Sequence, residues 1–373
     1  MNDLKVGVIG YGYWGPKMVR NFVSILHGGM YGVADKKPER LDAATAQYPH
    51  LRTYLDAERL IDVVDIVVIT TPVSTHYGVA KRALEAGKHV LIAKPMTDTV
   101  KSSEELILLA EKQGVTLMVD HTFIFTGAVQ KMRELVDRNE LGKLYYFDSV
   151  RVNLGLFHHD TNVLWDLAPH DISIMDYLLQ EQPISVAAHG ACHINYSHVP
   201  IEDIAYLTMF FENNLIAHVH VNWLAPVKVR KTLLAGSEKM VVYDDTEPDE
   251  KIKVYDKGVE ISPKNHTEKV YDVLVSYRTG DMYAPKLDKT EPLRKEIIHF
   301  LDCVQTGRMP ISDGYSGLNV VRILEAAQYS IDHGGIQVEL CSETMAVSHS
   351  ADSAYVPVKR SRIFSPEFIR EGI

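Results

Sequence analysis

Residues 6–15 read Val-Gly-Val-Ile-Gly-Tyr-Gly-Tyr-Trp-Gly, an apolar run that breaks into the pattern Gly-x-Gly-x-x-Gly. In a dinucleotide-binding turn the first glycine lets a strand pass into a helix. The second lets the backbone approach a pyrophosphate, and the third lets the helix pack closely on its strand. Apolar residues with helical spacing follow over 16–26, so a pyrophosphate would lie at a helix N-terminus. The loop residues predicted to bind the cofactor are Gly10, Gly12, Tyr13, Trp14 and Gly15.

A carboxylate follows the second predicted strand. The apolar run 30–34 ends in Asp35, twenty residues after the last glycine of the pattern. A carboxylate at this point accepts hydrogen bonds from the adenosine ribose hydroxyls and repels a 2′-phosphate. The sequence therefore favours NAD. NADP is disfavoured but stays open, because Lys36 and Lys37 follow directly and can pair with a phosphate.

The composition is that of an ordinary globular protein. The 373 residues are 46% hydrophobic and 24% charged, a length that predicts two domains. A net charge of −10 argues against nucleic-acid or anionic-membrane partners. The chain has neither a secretion signal nor a long apolar run, so we expect a cytoplasmic protein. Cys192, Cys303 and Cys341 are few and far apart, which fits reduced thiols and no metal site.

Two patterns divide the chain. Strands alternate with helices up to about residue 120, which predicts an α/β fold with a doubly wound parallel sheet, a Rossmann domain over 1–122. Period-two alternation begins near residue 185 and predicts an α+β domain over 123–340 with a large, mostly antiparallel, open-faced sheet. Residues 244–292 are predicted to form a long excursion. Residues 341–373 are predicted to be a tail that wraps a neighbour or is mobile. The open sheet face needs cover, so we expect a homodimer or homotetramer.

Polar residues follow two neighbouring strands of the predicted parallel sheet. Thr71, Pro72 and His76 come after the fourth strand, and Lys94-Pro95 after the fifth. Both segments are expected at the carboxyl edge, where a nicotinamide would lie. Lys94 could donate hydrogen bonds to a substrate oxygen and stabilise the charge that develops there.

Asp166 and His170 are four residues apart in the second domain. If a helix extends back to Asp166 they share one face, and if Pro169 starts the helix both flank its first turn. A carboxylate beside an imidazole fixes its tautomer and raises its basicity, which suits a group that takes a proton from an alcohol while hydride leaves the carbon. We predict Lys94, Asp166 and His170 as the catalytic residues.

Further residues are candidate substrate contacts. Arg151 and Asn153 lie near the end of a predicted strand, and charged forks or ammonium groups elsewhere suit phosphate oxygens. The same charges could instead lie on an exposed sheet edge. The His158-His159-Asp160 run lacks further ligands at metal-binding spacing, so a loop near the substrate is favoured over a metal site. The additional candidates are His158, Trp165, Lys228, Arg230 and Arg278.

The glycine pattern, Asp35, residues 71–76, Lys94-Pro95 and Asp166-x-x-x-His170, in this order, resemble the Gfo/Idh/MocA oxidoreductases from residue 5 to about 335. Within that family, residues 12–16, 164–171, 276–281 and 291–293 are most similar to members that act on nucleotide-linked sugars, of the UDP-N-acetylglucosamine 3-dehydrogenase type. The resemblance implies hydride transfer between nicotinamide and C3 of a UDP-linked amino sugar. It also implies that Lys94, Asp166 and His170 line the reacting centre.

The chain departs from the family at Ala93, where the usual motif is Glu-Lys-Pro. The glutamate belongs near the nicotinamide ribose, so restoring it is expected to change cofactor handling more than folding. Two alternatives stay open: a dehydrogenase of a free sugar or inositol, and a regulator that binds dinucleotide without turnover.

Overall fold

The N-terminal part of the chain forms a six-stranded parallel sheet. The computed structural model describes residues 4–26, 28–155, 161–194, 200–261 and 275–340. The elements of this part are β1 (Val6–Ile9), α1 (Gly15–Leu26), β2 (Met30–Ala34), α2 (Pro38–Gln47), β3 (Arg52–Tyr54), α3 (Ala57–Ile61), β4 (Ile66–Ile69), α4 (His76–Glu85), β5 (His89–Ala93), α5 (Val100–Gln113) and β6 (Leu117–Asp120). The strand order is β3-β2-β1-β4-β5-β6.

The sheet is covered by helices on both faces. Successive residues of β4 alternate between two apolar clusters, one shared with α1 and α2 and the other with α3, α4 and α5. All four β4 residues are buried, which explains why the strand is an uninterrupted run of isoleucine and valine. The predicted doubly wound parallel sheet is confirmed.

The second part is built on a nine-stranded sheet. Its elements are α6 (Gly127–Asp137), β7 (Leu144–Leu154), α7 (Val163–Leu179), β8 (Ser185–Ala191), β9 (Ile204–Phe210), β10 (Ile216–Asn222), β11 (Leu224–Gly236), β12 (Met240–Asp244), β13 (Ile252–Tyr255), β14 (Gly258–Ile261), β15 (Val275–Arg278), β16 (Met282–Tyr283), α8 (Pro292–Thr306), α9 (Gly314–Asp332) and β17 (Val338–Glu339). The order is β16-β13-β12-β11-β7-β10-β9-β8-β17, antiparallel except for the parallel pair β7 and β10. The predicted mostly antiparallel sheet is confirmed.

The expected excursion over 244–292 is wrong in part. β13 and β16 extend the large sheet, and β14 pairs with β15 in a separate two-stranded sheet. Ile252 and Val254 are the buried residues of β13, and only these two apolar positions alternate within a lysine-rich stretch. Such a short alternation is a weak signal for a strand.

Helix α7 begins earlier than His170. The Asn162 side chain accepts a hydrogen bond from the Trp165 amide and caps the first turn, so the helix runs from Val163 and Pro169 lies inside it. Asp166 and His170 therefore stand on neighbouring turns of one helix. The alternative in which Pro169 starts the helix is wrong.

The two sheets are tied together by the last helices. α8 packs on α1, and α9 packs on α5 and β6 of the parallel sheet as well as on α7 and β8. A division at residue 122 stays a prediction, because α9 is shared by both parts. The tail 341–373 lies outside the described residues. Among the described helices none has the length and apolar character needed to cross a membrane.

Candidate active site

The glycine loop after β1 has the shape expected for a dinucleotide turn. Gly10 has a φ of +97°, and a Cβ there would lie 2.8 Å from the Thr70 carbonyl oxygen. A Cβ on Gly15 would lie 2.1 Å from the Gly10 carbonyl oxygen, so the start of α1 needs glycine to pack on the turn. At Gly12 a Cβ would meet nothing closer than the Arg40 guanidinium at 3.6 Å. The loop thus has a tight turn, a close helix and an open backbone, which together fit a dinucleotide.

Asp35 lies beside this loop at the end of β2. Its carboxylate accepts hydrogen bonds from the Tyr11 amide at 2.7 Å and the Lys37 amide at 2.9 Å, and pairs with Arg40 at 3.2 Å. Burial opposes ionisation, but these donors outweigh it and hold the pKa of Asp35 below its usual value. Lys36 is exposed. The sequence analysis did not identify Arg40 as a partner of Asp35. Its position in the first turn of α2, shortly after Asp35, indicates that it can reach the carboxylate.

The side chains of Tyr13 and Trp14, both in the glycine loop, have different surroundings. Tyr13 is 78% exposed, and the Lys17 ammonium lies 3.9 Å from its ring centroid. The Trp14 indole N–H donates to the carboxylate of Asp120, the last residue of β6. This hydrogen bond connects the glycine loop to β6, the edge strand of the parallel sheet. The sequence did not predict this contact.

His76 has a structural position that corrects its predicted role. Its ring is buried, with Nδ1 3.0 Å from the Pro95 carbonyl oxygen and Nε2 2.8 Å from the Thr71 carbonyl oxygen. Burial lowers its pKa despite these carbonyls, so the ring is neutral. Both nitrogens face backbone carbonyls, so His76 joins the loops after β4 and β5 and directs neither ring nitrogen at a ligand. Thr71 and Pro72 lie on the first of these loops.

Lys94, after β5, reaches across to α7. Its Nζ donates to the backbone carbonyl of Asp166 and lies 3.3 Å from the Asp166 Oδ1. The other carboxylate oxygen, Oδ2, accepts a hydrogen bond from the indole N–H of the buried Trp223 at 3.2 Å. Asp166 therefore holds the lysine, and Trp223 holds the aspartate. From the sequence, Trp223 is a residue at a strand end that could reach a sugar; its contact with Asp166 was not predictable, because it depends on how the end of β10 packs under α7.

The expected pairing of Asp166 with His170 is wrong. The carboxylate of Asp166 is directed at Lys94 and Trp223, and the Nδ1 of His170 is buried with no hydrogen-bond partner among the described residues. The expected rise in basicity is also reversed. Burial lowers the pKa of His170 well below its usual value, and the nearby charges of Lys94, Arg151 and Arg230 lower it further. His170 is therefore a neutral imidazole.

The Phe123 ring contacts the side chains of one histidine and two arginines. The His170 ring meets it edge-on at 4.9 Å between centroids. The guanidinium carbons of Arg151 and Arg230 lie 4.4 and 5.7 Å from its centroid. Phe123 belongs to the short turn that follows β6, so the edge of the parallel sheet positions one side of this cluster and β7 and β11 the other.

Arg151 and Arg230 are direct partners across β7 and β11. Arg151 is buried and holds both carboxylate oxygens of Asp171, with Nε to Oδ2 at 2.6 Å and Nη2 to Oδ1 at 3.2 Å. Arg230 is half-buried and lies 3.4 Å from an Asp245 oxygen. Each arginine thus has a carboxylate partner, and each retains donors that face the cluster.

Unpartnered polar atoms converge on this place. Among the described residues, several buried nitrogens around Lys94 and Phe123 have no hydrogen-bond partner. His121, at the end of β6, is only 1% exposed, and burial together with Lys94 lowers its pKa to about 3. Buried donors and acceptors without partners are costly, so this cluster is a candidate position for a polar ligand. These atoms are His121 Nδ1 and Nε2, His170 Nδ1, Arg151 Nη1 and Arg230 Nε.

The remaining predicted contacts are spread more widely. Asn153 and Trp165 are half-buried, on β7 and α7, and Lys228 is exposed on β11. Arg278 is engaged on β15 by the Asp256 carboxylate and the Glu238 carbonyl, so it is not part of the cluster. His158 lies outside the described residues. No group of three potential metal ligands occurs in the described part of the chain.

Comparison with known proteins identifies relatives over most of the chain. Residues 4–121 match the Gfo/Idh/MocA profile described as an oxidoreductase family with an NAD-binding Rossmann fold, and residues 129–242 match its C-terminal domain. A UDP-N-acetylglucosamine 3-dehydrogenase from Acidithiobacillus ferrooxidans is 26% identical over 86% of this chain and 95% of its own. A scyllo-inositol 2-dehydrogenase (NADP(+)) from Bacillus subtilis is 23% identical over 88% and 94%.

The fold is shared with solved structures as well. A structure of the Acidithiobacillus enzyme superposes with a TM-score of 0.75 at 23% identity, covering 89% of this chain and 99% of that one. The matched profiles cover the whole parallel sheet and the part of the large sheet from β7 into β12. The chain belongs to the Gfo/Idh/MocA family of oxidoreductases.

Proposed function

We propose that this enzyme transfers hydride between a nicotinamide cofactor and a secondary alcohol or ketone of a nucleotide-linked sugar, with C3 of a UDP-N-acetylglucosamine-type substrate favoured. One observation carries the proposal: Lys94 and a group of unpartnered imidazole and guanidinium nitrogens converge beside a dinucleotide-binding edge. A sugar hydroxyl both donates and accepts hydrogen bonds, and therefore matches this mixed set of groups.

The roles of the residues follow from their charge. When bound, the nicotinamide accepts or supplies the hydride. Lys94, held by Asp166, donates to the reacting oxygen and stabilises the negative charge that develops on it. His170 is neutral and so can accept the hydroxyl proton as the C–H bond breaks and the carbonyl forms. In the reverse direction the imidazolium returns this proton.

The arginines support a nucleotide-linked substrate. Arg151 Nη1 and Arg230 Nε are unpartnered, and guanidinium groups bind phosphate oxygens through paired hydrogen bonds. The similarity to a UDP-N-acetylglucosamine 3-dehydrogenase over most of both chains supports the same substrate class. His121 and Trp165 are further candidate sugar contacts, and Asn153 and Lys228 are candidate contacts nearer the nucleotide.

A second substrate class is favoured by the carboxylates of the same site. Asp171 and Asp245 already pair with Arg151 and Arg230, which leaves less positive charge for a diphosphate. A neutral sugar or inositol fits such a site, and a relative of similar length is named an inositol dehydrogenase. These two classes differ in whether a nucleotide is required.

We propose NAD as the cofactor. The Asp35 carboxylate is buried and ionised beside the glycine loop, where it would repel a 2′-phosphate. Arg40 pairs with that carboxylate and is the residue able to bind a 2′-phosphate in its place. Titrating both cofactors into wild type and Asp35→Asn tests this proposal. Equal affinity of wild type for NAD and NADP would overturn it.

The function is tested by mixing the purified protein and NAD with UDP-N-acetylglucosamine, its uronic acid, free N-acetylglucosamine and scyllo-inositol, while following the absorbance of reduced cofactor. Reduction with the UDP-sugars alone supports the proposal. Reduction with inositol or free sugar alone supports the second class. Dinucleotide binding without reduction by any alcohol or oxidation by the matching ketones would indicate a regulator.

A further inference from the structure

A buried pair of carboxyl groups connects the second part of the chain to the glycine loop. Asp120, the last residue of β6, is 4% exposed, and Glu296 on α8 is fully buried. Their carboxyl groups are in hydrogen-bonding contact. Neither oxygen of Glu296 accepts a hydrogen bond of good geometry from the described residues, although the Thr122 hydroxyl and the His121 amide lie near it. The contact therefore requires a proton on one of the two acids.

That proton belongs to Glu296. Two buried carboxyl groups in contact are not both ionised, because burial penalises each negative charge and the two charges repel each other. Burial and the neighbouring Asp120 raise the pKa of Glu296 well above its usual value. Burial raises the pKa of Asp120 as well, but Asp120 is the better-supported anion, since the Trp14 indole N–H and Lys94 favour its charged form and the Thr122 hydroxyl donates to its Oδ1. Glu296 therefore donates to Asp120.

The Asp120 carboxylate accepts hydrogen bonds from three residues. The Thr122 hydroxyl donates to Oδ1 at 2.5 Å, and the Trp14 indole N–H donates to Oδ2. Glu296 approaches from α8. Among the described residues, Lys94 is the cation that acts on Asp120, and His121 beside it is neutral.

Trp14 makes this contact relevant to the cofactor. Its carbonyl accepts the amides of Lys17 and Met18 at 3.0 and 3.2 Å, so Trp14 begins the first turn of α1. The free amides of that turn are the ones that face a pyrophosphate. Movement of the indole would therefore change the position of the dinucleotide-binding turn.

We propose that Glu296 is a positioning residue for the cofactor: its proton fixes the Asp120 carboxylate on the Trp14 indole, and the indole fixes the glycine loop in its binding shape. Helix α8, from the second part of the chain, thereby sets dinucleotide affinity. The inference rests on the cofactor part of the proposed function and is independent of which sugar is used.

Substitutions at Glu296 separate its hydrogen bond from its volume. Glu296→Gln keeps a donor toward Asp120, and Glu296→Leu keeps bulk but has none. NADH binding is measured by titration calorimetry at neutral pH. Glu296→Gln should bind within about twofold of wild type, whereas Glu296→Leu should bind about tenfold more weakly, as loss of a hydrogen bond to a charged group predicts. Glu291→Leu is the matched control. Glu291 lies at the start of α8 and pairs with the exposed Arg20 of α1, so this substitution should leave the affinity for NADH unchanged.

Two further measurements exclude a merely structural role. Wild-type affinity should fall as rising pH removes the shared proton, while the affinity of Glu296→Gln, whose amide cannot ionise, should not follow that fall. Trp14→Phe should weaken binding as much as Glu296→Leu, and the double variant should be no weaker than either, because both act through one contact.

Equal loss in the glutamine and leucine variants, unchanged affinity in the leucine variant, or additive effects with Trp14→Phe would overturn the inference. Because the readout is NADH binding, these results leave the sugar-dehydrogenase proposal standing. Turnover can fail while the inference holds. A wild type that binds no dinucleotide would overturn both.

Discussion

The Nζ of Lys94 donates to the backbone carbonyl of Asp166 and lies 3.3 Å from its Oδ1, so one residue of α7 holds the lysine through both its backbone and its side chain. The lysine belongs to the edge of the parallel sheet and the aspartate to the second part of the chain. The contact therefore joins the two halves of the site.

Removing the lysine ammonium should lower turnover far more than it weakens dinucleotide binding. We expect Lys94→Met to lose about 10²- to 10⁴-fold in kcat/KM, because the group stabilises charge only as the reaction proceeds. Asp166→Asn should lose less, since the backbone contact to Lys94 is retained. Steady-state rates and NADH titrations on both variants check this. A Lys94→Met enzyme with most of its activity would remove Lys94 from the mechanism.

The pH dependence of sugar oxidation should reflect a histidine that is already neutral. The pKa of His170 is lowered from 6.5 by burial and neighbouring cations, so its protonation, and the loss of rate that follows, should begin only below the ordinary range for histidine. A kcat/KM profile that stays flat through pH 6.5 in wild type is the expected result. His170→Gln should lose activity at every pH. A wild-type kcat/KM profile that falls from neutrality downward would mean that the bound cofactor raises the pKa of His170.

Arg230 is the accessible probe of phosphate binding. Arg151 is buried against Asp171, and removing one partner of a buried pair costs about 3–5 kcal/mol, so variants there would report stability. Arg230→Met should instead raise KM for a UDP-sugar about tenfold, the loss of one hydrogen bond to a charged group, with an unchanged melting temperature. Lys231→Met, on the same strand but exposed and without a proposed substrate contact, is the control. Equal effects of the two variants would indicate general attraction by surface charge.

Much of the cofactor half of this site could be predicted from local sequence. The glycine turn, the strand before it and Asp35 lie within a short segment whose pattern has one structural meaning. The contacts of Asp120, Glu296 and Trp223 could not be predicted, because they join residues far apart in the chain and depend on how α7 and α8 pack. The start of α7 was ambiguous for a different reason: Pro169 is compatible with either the first turn or the interior of a helix.

Ala93, which departs from the family motif, lies beside Asp120 in the parallel sheet. Ala93 pairs in parallel register with Asp120, so the two side chains point to the same face of the sheet. The sequence predicts that Ala93→Glu changes cofactor affinity more than folding. The register adds a cost, since the new carboxylate would lie beside Asp120 and Glu296 and should destabilise the protein by about 1–3 kcal/mol.

Melting temperatures and NADH titrations of Ala93→Glu, alone and with Asp120→Asn, separate the two effects. The second substitution should recover much of the lost stability by removing the like charge. A single variant as stable as wild type would show that the carboxylates do not meet.

An isotope-transfer experiment tests the proposed hydride transfer from a nucleotide-linked sugar most directly. UDP-N-acetylglucosamine that carries deuterium at C3 is incubated with the enzyme and NAD, and the reduced cofactor is analysed by mass spectrometry. We expect deuterium in the reduced nicotinamide with wild type, and labelling at least about 100-fold slower with Lys94→Met or His170→Gln under the same conditions. Reduced cofactor without the label, or no reduced cofactor from this or any other nucleotide-linked sugar, would contradict it.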